Sequence, residues 1–177
     1  SLEEMNMLRM NIGIEHGNFD YRKKYLKRNV SDEIQIKAFE MVADKKYRSC
    51  ANSIIGMPDE TRELIFDTIN FMRKLPKSVD ATGAFIFAPY HGTPLRDLAI
   101  QKGYLKEHEI ASVSNTAHHS MLTMPTISKE EISGIVRTYS LYIKFPESRW
   151  NEIKIAEKFT KEGDAMFKKL GNEFDQK

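Results

Sequence analysis

The chain has 177 residues, 41% of them hydrophobic and 29% charged, with 27 Lys and Arg against 25 Asp and Glu for a net charge of +2. That is enough for a domain with its own core, and neither a basic face for nucleic acid nor an acidic tail stands out. The longest apolar runs, such as Ala84 to Ala88, are far too short to cross a bilayer.

The N-terminus carries no basic region followed by an apolar core, so no signal peptide is evident. Cys50 is the only cysteine, which excludes a disulfide within the chain and fits a cytoplasmic setting. A lone cysteine of this kind reads as a buried core thiol.

In chain order, Met10 to Glu15 alternates apolar and small or polar residues and predicts a first strand, broken by His16-Gly17-Asn18. A short basic helix over Asp20 to Lys27 follows. Ser31 reads as an N-cap with Asp32 and Glu33 in the first helical turn, and Ile34, Ala38, Met41 and Val42 predict the buried face of a helix to about Lys45. Cys50 to Ile55 is the second strand, ended by Gly56-Met57-Pro58-Asp59. Glu60 to Lys74 is helical by period, with Leu64, Ile65, Thr68, Phe71, Met72 and Leu75 as its core stripe and Glu60 stabilising its N-terminus. Ala81 to Ala88 is the third strand. Thr93 is positioned to cap a helix that opens on Pro94 and stops at Gly103.

Apolar strands separated by helical crossovers of more than a dozen residues call for parallel pairing. Beyond them, Glu107 to Thr126 lacks a period. Ser128 and Glu131 form a capping box opening a helix to about Lys144, Phe145-Pro146 interrupts it, and a last helix is expected from Glu147 or Trp150 to Leu170.

In such sheets ligands bind at the C-terminal strand ends. Three entrances qualify here: residues 15–18, 56–61 and 89–93. Asn11-Ile12-Gly13-Ile14-Glu15, then Lys27-Arg28, then Ile54-Ile55-Gly56-Met57-Pro58-x-Glu60-Thr61, then Pro89-Tyr90-His91-Gly92-Thr93-Pro94-Leu95 occur in that order. This series resembles the later half of the radical S-adenosylmethionine superfamily barrel, whose versions run roughly G-I-E-S-G, I-x-G-L-P-x-E-T and P-x-P-G-T-x-L. The resemblance covers about residues 10 to 105, and the helical tail is similar to the C-terminal extension of cobalamin-binding members. His16 stands where Ser is common, and His91 where a second Pro is common.

The fold this implies is α/β: a partial TIM-like barrel of three parallel βα units over 1–105, an irregular connection over 106–127, and a helical extension over 128–177. Members hold a [4Fe–4S] cluster with three closely spaced cysteines, and one cysteine cannot replace three. The chain is therefore expected to begin within a longer polypeptide, after that segment, and to be inactive by itself. S-adenosylmethionine and the cluster would serve the parent protein, whether cobalamin does so is left open by these residues, and none is expected bound to this chain alone.

The resemblance assigns Glu15 to the ribose or methionyl end of S-adenosylmethionine, Arg28 to its carboxylate, Asn52 to a hydrogen bond from the sheet interior, Gly56 to close backbone approach, and Phe87 to Tyr90 to the adenine. Each has a structural alternative: an ion pair for Glu15, a surface charge for Arg28, a buried amide for Asn52, and packing for Tyr90. His91, His108 and the adjacent His118 and His119 lack the spacing of a metal site. A tRNA methylthiotransferase fragment, an oxygen-independent porphyrin oxidase and a non-catalytic assembly module are the competing readings. The substrate is an unknown small molecule, the natural partner is the preceding half of the same polypeptide, and the unpaired Met10–Glu15 edge is expected to make the chain self-associate.

Overall fold

The computed structural model describes residues 7–111 and 119–174. Three parallel strands, β1 (Arg9–Glu15), β2 (Arg48–Ile55) and β3 (Asp80–Ile86), form one sheet in that order. Helices α1 (Phe19–Tyr25) and α2 (Asp32–Ala43) connect β1 to β2, α3 (Arg62–Arg73) connects β2 to β3, and α4 (Pro94–Gln101) follows. The tail supplies α5 (Lys129–Lys144), a 3-10 turn at Glu147–Arg149, α6 (Trp150–Ala156) and α7 (Lys161–Phe174). The described residues form an open sheet rather than a closed barrel.

Side-chain alternation gives the sheet two unlike faces. Ile12 pairs with Ala51, and Ser53 and Ile55 pair with Ala84 and Ile86; this face meets the helices. Ser53 shares a 2.8 Å hydrogen bond with the Tyr139 hydroxyl of α5, and the cluster of buried residues runs from Ile14 and Ile55 through Ile65 and Ile69 to Ile132 and Tyr142. The tail therefore packs into the same core as the sheet. The opposite face carries Arg9, Asn11, Gly13, Asn52, Gly83 and Phe85, the last of which is 59% exposed.

Several local expectations hold in detail. Ser31 caps α2 by accepting from the Ile34 N–H, and Ser128 caps α5 by accepting from the Glu131 N–H. Phe145 leaves helical geometry before Pro146. In the described parts of 107–126 there is neither helix nor strand; residues 112–118, among them His118, lie outside the described residues.

Others need correction. Helix α2 buries Gln35 and Phe39, while Ile34 and Met41 are 62% and 69% exposed. Its apolar residues occupy two faces, and tertiary packing selects the one with the aromatic ring. Thr93 makes no side-chain cap; its hydroxyl donates to the Tyr90 carbonyl at 2.7 Å, closing the preceding turn instead. Helix α3 begins at Arg62 with Thr61 as its cap, and the Glu60 carboxylate turns back to the Gly56 and Met57 N–H groups rather than to the helix N-terminus. The single last helix is two: α6 ends at Ala156, and Thr160 restarts the chain by accepting from the Gly163 N–H at 3.1 Å. Gly163 permits this corner, because a Cβ there would overlap the Lys158 carbonyl.

Gly17 makes a comparable close approach, with its N–H donating to the Thr68 hydroxyl at 2.9 Å and its Cα set against the α3 backbone at Asp67 and Thr68. Gly17→Ala should lower the unfolding free energy by about 3 kcal/mol in urea titration, since backbone must move to admit the methyl. Gly171→Ala, with open space around it on α7, should be neutral or stabilising by up to about 1 kcal/mol. Equal effects at the two positions would contradict this packing.

Candidate functional site

The end of β1 is where the backbone departs most from ordinary geometry. The register slips between Gly13 and Glu15, a bulge that places two β1 residues against one on β2. Glu15 then has φ 66°, and the His16 N–H donates to the Ile14 carbonyl at 2.9 Å, closing a three-residue turn around Glu15. A positive φ is costly for a residue with a Cβ, and turns of this shape are rare and strained.

What holds the turn is buried. His16 and Glu60 are both fully withdrawn from solvent, with Nε2 and Oε1 3.0 Å apart but without the alignment of a linear hydrogen bond, so the contact is electrostatic. His16 Nδ1 accepts from the Asn18 N–H at 3.0 Å, which leaves Nε2 to carry the ring proton towards Glu60. The other Glu60 oxygen accepts from the Gly56 and Met57 N–H groups. Tyr21 stacks on the imidazole at 4.2 Å between ring centroids and donates to the Pro58 carbonyl at 2.7 Å. Arg22, also fully buried, donates to the His16 carbonyl at 2.8 Å, the Val30 carbonyl at 3.1 Å and the Asp32 carboxylate at 2.6 Å.

This scaffold sends the Glu15 side chain back over Gly13, where a Cβ would overlap the carboxylate. Arg28 pairs with that carboxylate at 3.6 Å, each side chain about one-third exposed. Gly13, Asn52 and Gly83 are register neighbours across the sheet, and the Asn52 amide oxygen leans over Gly83. Two glycines thus clear room on the open face for a carboxylate and an amide, with a guanidinium at their border. The half-buried Asn52 amide makes no hydrogen bond among the described residues.

Beside this polar row lies an apolar groove of about 970 Å³, lined among others by Ile54, Phe85, Phe87, Tyr90, Leu95 and Lys27. Phe87 is held by its N–H bond to the Ile55 carbonyl at 2.8 Å, while Tyr90 presents an exposed ring. The residues singled out by sequence therefore divide. Glu15 and Arg28 meet, Asn52 is the register partner of Gly13 over which Glu15 folds, and Phe87 and Tyr90 line the adjoining groove. Gly56 points elsewhere: it has φ 79°, its N–H serves Glu60, and a Cβ on it would touch Ile132 of α5.

Sequence reading missed His16, Arg22 and Asp59 as the parts that set this rim. The only available signal for Asp59 was its place after Gly-x-Pro; nothing distinguishes Arg22 from its basic neighbours Lys23 and Lys24. Asp59, at φ 63°, accepts from the Tyr25 hydroxyl at 2.7 Å and the Tyr104 hydroxyl at 2.8 Å and pairs with Lys102 at 2.7 Å, joining the ends of β2, α1 and α4. Among the described residues no cluster of three or more His, Cys, Asp or Glu could hold a metal ion, and no helix is long and apolar enough to cross a membrane. No protein-family model matches the chain, and no curated protein matches it.

Burial works against the Asp59 charge, but the Lys102 ammonium and the two phenols outweigh it and hold its pKa below the ordinary aspartate range. A depressed carboxylate contributes stability that is full above its unfolded-state pKa and is lost as pH falls through the lower folded value. The unfolding free-energy gap between wild type and Asp59→Asn should therefore be constant near neutral pH and shrink below about pH 4. A gap unchanged down to pH 2, with both proteins still folded, would contradict the role given to this knot.

Proposed function

We propose that this chain is the later half of a radical S-adenosylmethionine barrel and carries the part of the cofactor site that recognises S-adenosylmethionine. The observation that carries this reading is the Gly13–Asn52–Gly83 row, with the Glu15 carboxylate folded onto it and the apolar groove beside it, at the C-terminal ends of parallel strands. The partial TIM-like barrel belongs to the same proposal: helices cover one face of the sheet, and the open face with its free β1 edge corresponds to a barrel interior awaiting further strands.

The donor set fits the ligand. Arg28 offers a guanidinium for the methionyl carboxylate, Glu15 accepts from the α-amino group or ribose hydroxyls, and Asn52 both donates and accepts. Phe87 and the exposed Tyr90 ring supply apolar surface for the adenine, with the Phe87-to-Tyr90 backbone along its edge. The cofactor, when bound to the complete enzyme, supplies a sulfonium whose reductive cleavage generates a carbon radical. This chain's own share is to bind, to orient and to keep water from one side.

The iron–sulfur cluster does not fit these residues. Cys50 is the only thiol and is buried, whereas such a cluster takes several thiolates. On this reading the cluster's ligands lie in the preceding half of the polypeptide. Cobalamin and the small-molecule substrate are likewise assigned to no residue of this chain.

Titration of S-adenosylmethionine into isotopically labelled chain should perturb the Glu15, Asn52 and Phe87–Tyr90 amide resonances, and Asn52→Ala should weaken binding about tenfold, the loss of one or two hydrogen bonds. Shifts confined to the tail helices, or none at millimolar cofactor, would sink the proposal. After iron–sulfur reconstitution the chain alone should release no 5′-deoxyadenosine above a protein-free control.

A further inference from the structure

At about 970 Å³, the groove at the ends of β2 and β3 has more room than one adenine ring fills. Away from the Phe87–Tyr90 stretch its wall is formed by Leu26, Ile54, Phe85, Leu95 and Val136, and the Phe85 ring is 59% exposed. Two of its hydroxyls are already spent as donors: Tyr25 donates to the Asp59 carboxylate at 2.7 Å, and Thr93 to the Tyr90 carbonyl at 2.7 Å. Among the described residues that line the groove, Lys27 alone carries a charge. A ligand seated there finds apolar partners for its body, and polar groups buried along that body would go unmatched.

Lys27 stands where the groove opens into a second hollow of about 570 Å³, lined from α1 and α4, with Tyr25, Pro94 and Leu95 shared by both. Lys24 and Lys27 contribute two positive charges to this hollow and Asp97 one negative charge, so the mouth is net cationic. Lys27 has φ 54°, a left-handed backbone that disfavours any residue with a Cβ. The other described non-glycine residues with positive φ are Glu15 and Asp59, at the ends of β1 and β2 on the same rim. Strain of this kind concentrates where side chains are presented to ligands. The Lys27 Nζ donates to the Lys24 carbonyl at 3.0 Å, which leaves two N–H donors for an anion.

From this division we infer that the groove takes the substrate and that the substrate is an anionic amphiphile. Its apolar body lies against Ile54, Phe85 and Leu95, and its single carboxylate or phosphate head lies at Lys27; adenine keeps the Phe87–Tyr90 end. This names the substrate class of the site proposed above and rests on that reading for the role of substrate. A cationic substrate would meet two lysines at the mouth, and a polyhydroxylated one would leave its hydroxyls without partners along the wall.

Four probes of equal chain length test body and head separately. Octanoate, octyl phosphate, 1-octanol and octyltrimethylammonium, each below its micelle concentration, are titrated into isotopically labelled chain and followed by amide resonances. At least one of the two anions should perturb Lys27, Ile54, Phe85 and Leu95 and bind about fivefold more tightly than the alcohol, with the cation weakest. The tighter anion identifies the head. Lys27→Gln should remove the anion's advantage and leave 1-octanol unchanged, whereas Phe85→Asp, at an exposed position, should weaken anion and alcohol alike; circular dichroism checks that both variants are folded. An alcohol or cation that binds as tightly as both anions, shifts outside the groove, or an anion unaffected by Lys27→Gln would overturn the inference. The cofactor reading fails separately: S-adenosylmethionine shifts at Glu15 and Asn52 without anion binding overturn the amphiphile alone, and anion binding without those shifts upholds the groove's ligand class and sinks the cofactor reading.

Discussion

The His16–Glu60 contact, sealed from solvent at the C-terminal end of the sheet, is the constraint on which the candidate site depends. Glu60 spends one oxygen on the peptide N–H groups that end β2 and turns the other towards the imidazole that ends β1. Removing one member of such a pair leaves a polar group uncompensated in the interior, a loss of about 3 kcal/mol. Arg22 reinforces the same corner from beneath, its guanidinium satisfied by two carbonyls and a carboxylate. The two strand ends are thereby fixed relative to each other before any ligand arrives.

That fixation is what allows Glu15 to keep an unfavourable backbone. A residue held at positive φ persists where its surroundings over-determine it, and such residues concentrate at functional sites. Here the strain turns a carboxylate out of the strand direction and onto the glycine-cleared floor of the open face, against Arg28. The apolar groove at the ends of β2 and β3 adjoins the polar row, and on the proposed reading one elongated ligand with a charged end and a flat ring would use both surfaces. Preorganisation of this kind lowers the cost of ordering side chains on binding.

Much of the framework was legible in sequence because it is written locally. Apolar strands bounded by Gly and Pro, Ser31 and Ser128 as caps, and Phe145-Pro146 as a break are short-range signals that the fold follows. The buried face of α2 was not, since Ile34, Ala38 and Met41 satisfy helical spacing as well as Gln35 and Phe39 do, and only packing decides between them. The corner at Thr160 escaped because its cause is the Gly163 approach to Lys158, a tertiary fit. At the site, the family resemblance selected Glu15, Arg28 and Asn52, which the fold gathers on one side of the sheet. The groups that hold them, His16 with Glu60 and Arg22 with Asp32, are pairings across sequence distance that no local pattern announces.

If strain at Glu15 is retained for binding rather than for folding, relieving it should not weaken the fold. Glycine adopts φ near 66° freely, so Glu15→Gly exchanges a strained residue and a partly exposed ion pair for a relaxed backbone, at the cost of a more flexible unfolded chain. Equilibrium urea unfolding of Glu15→Gly should give a protein at least as stable as wild type, within about 0.5 kcal/mol or better. A destabilisation of more than about 2 kcal/mol would mean that the Glu15 side chain holds the sheet end together, and the account of it as a ligand group presented by the His16–Glu60 clamp would be wrong.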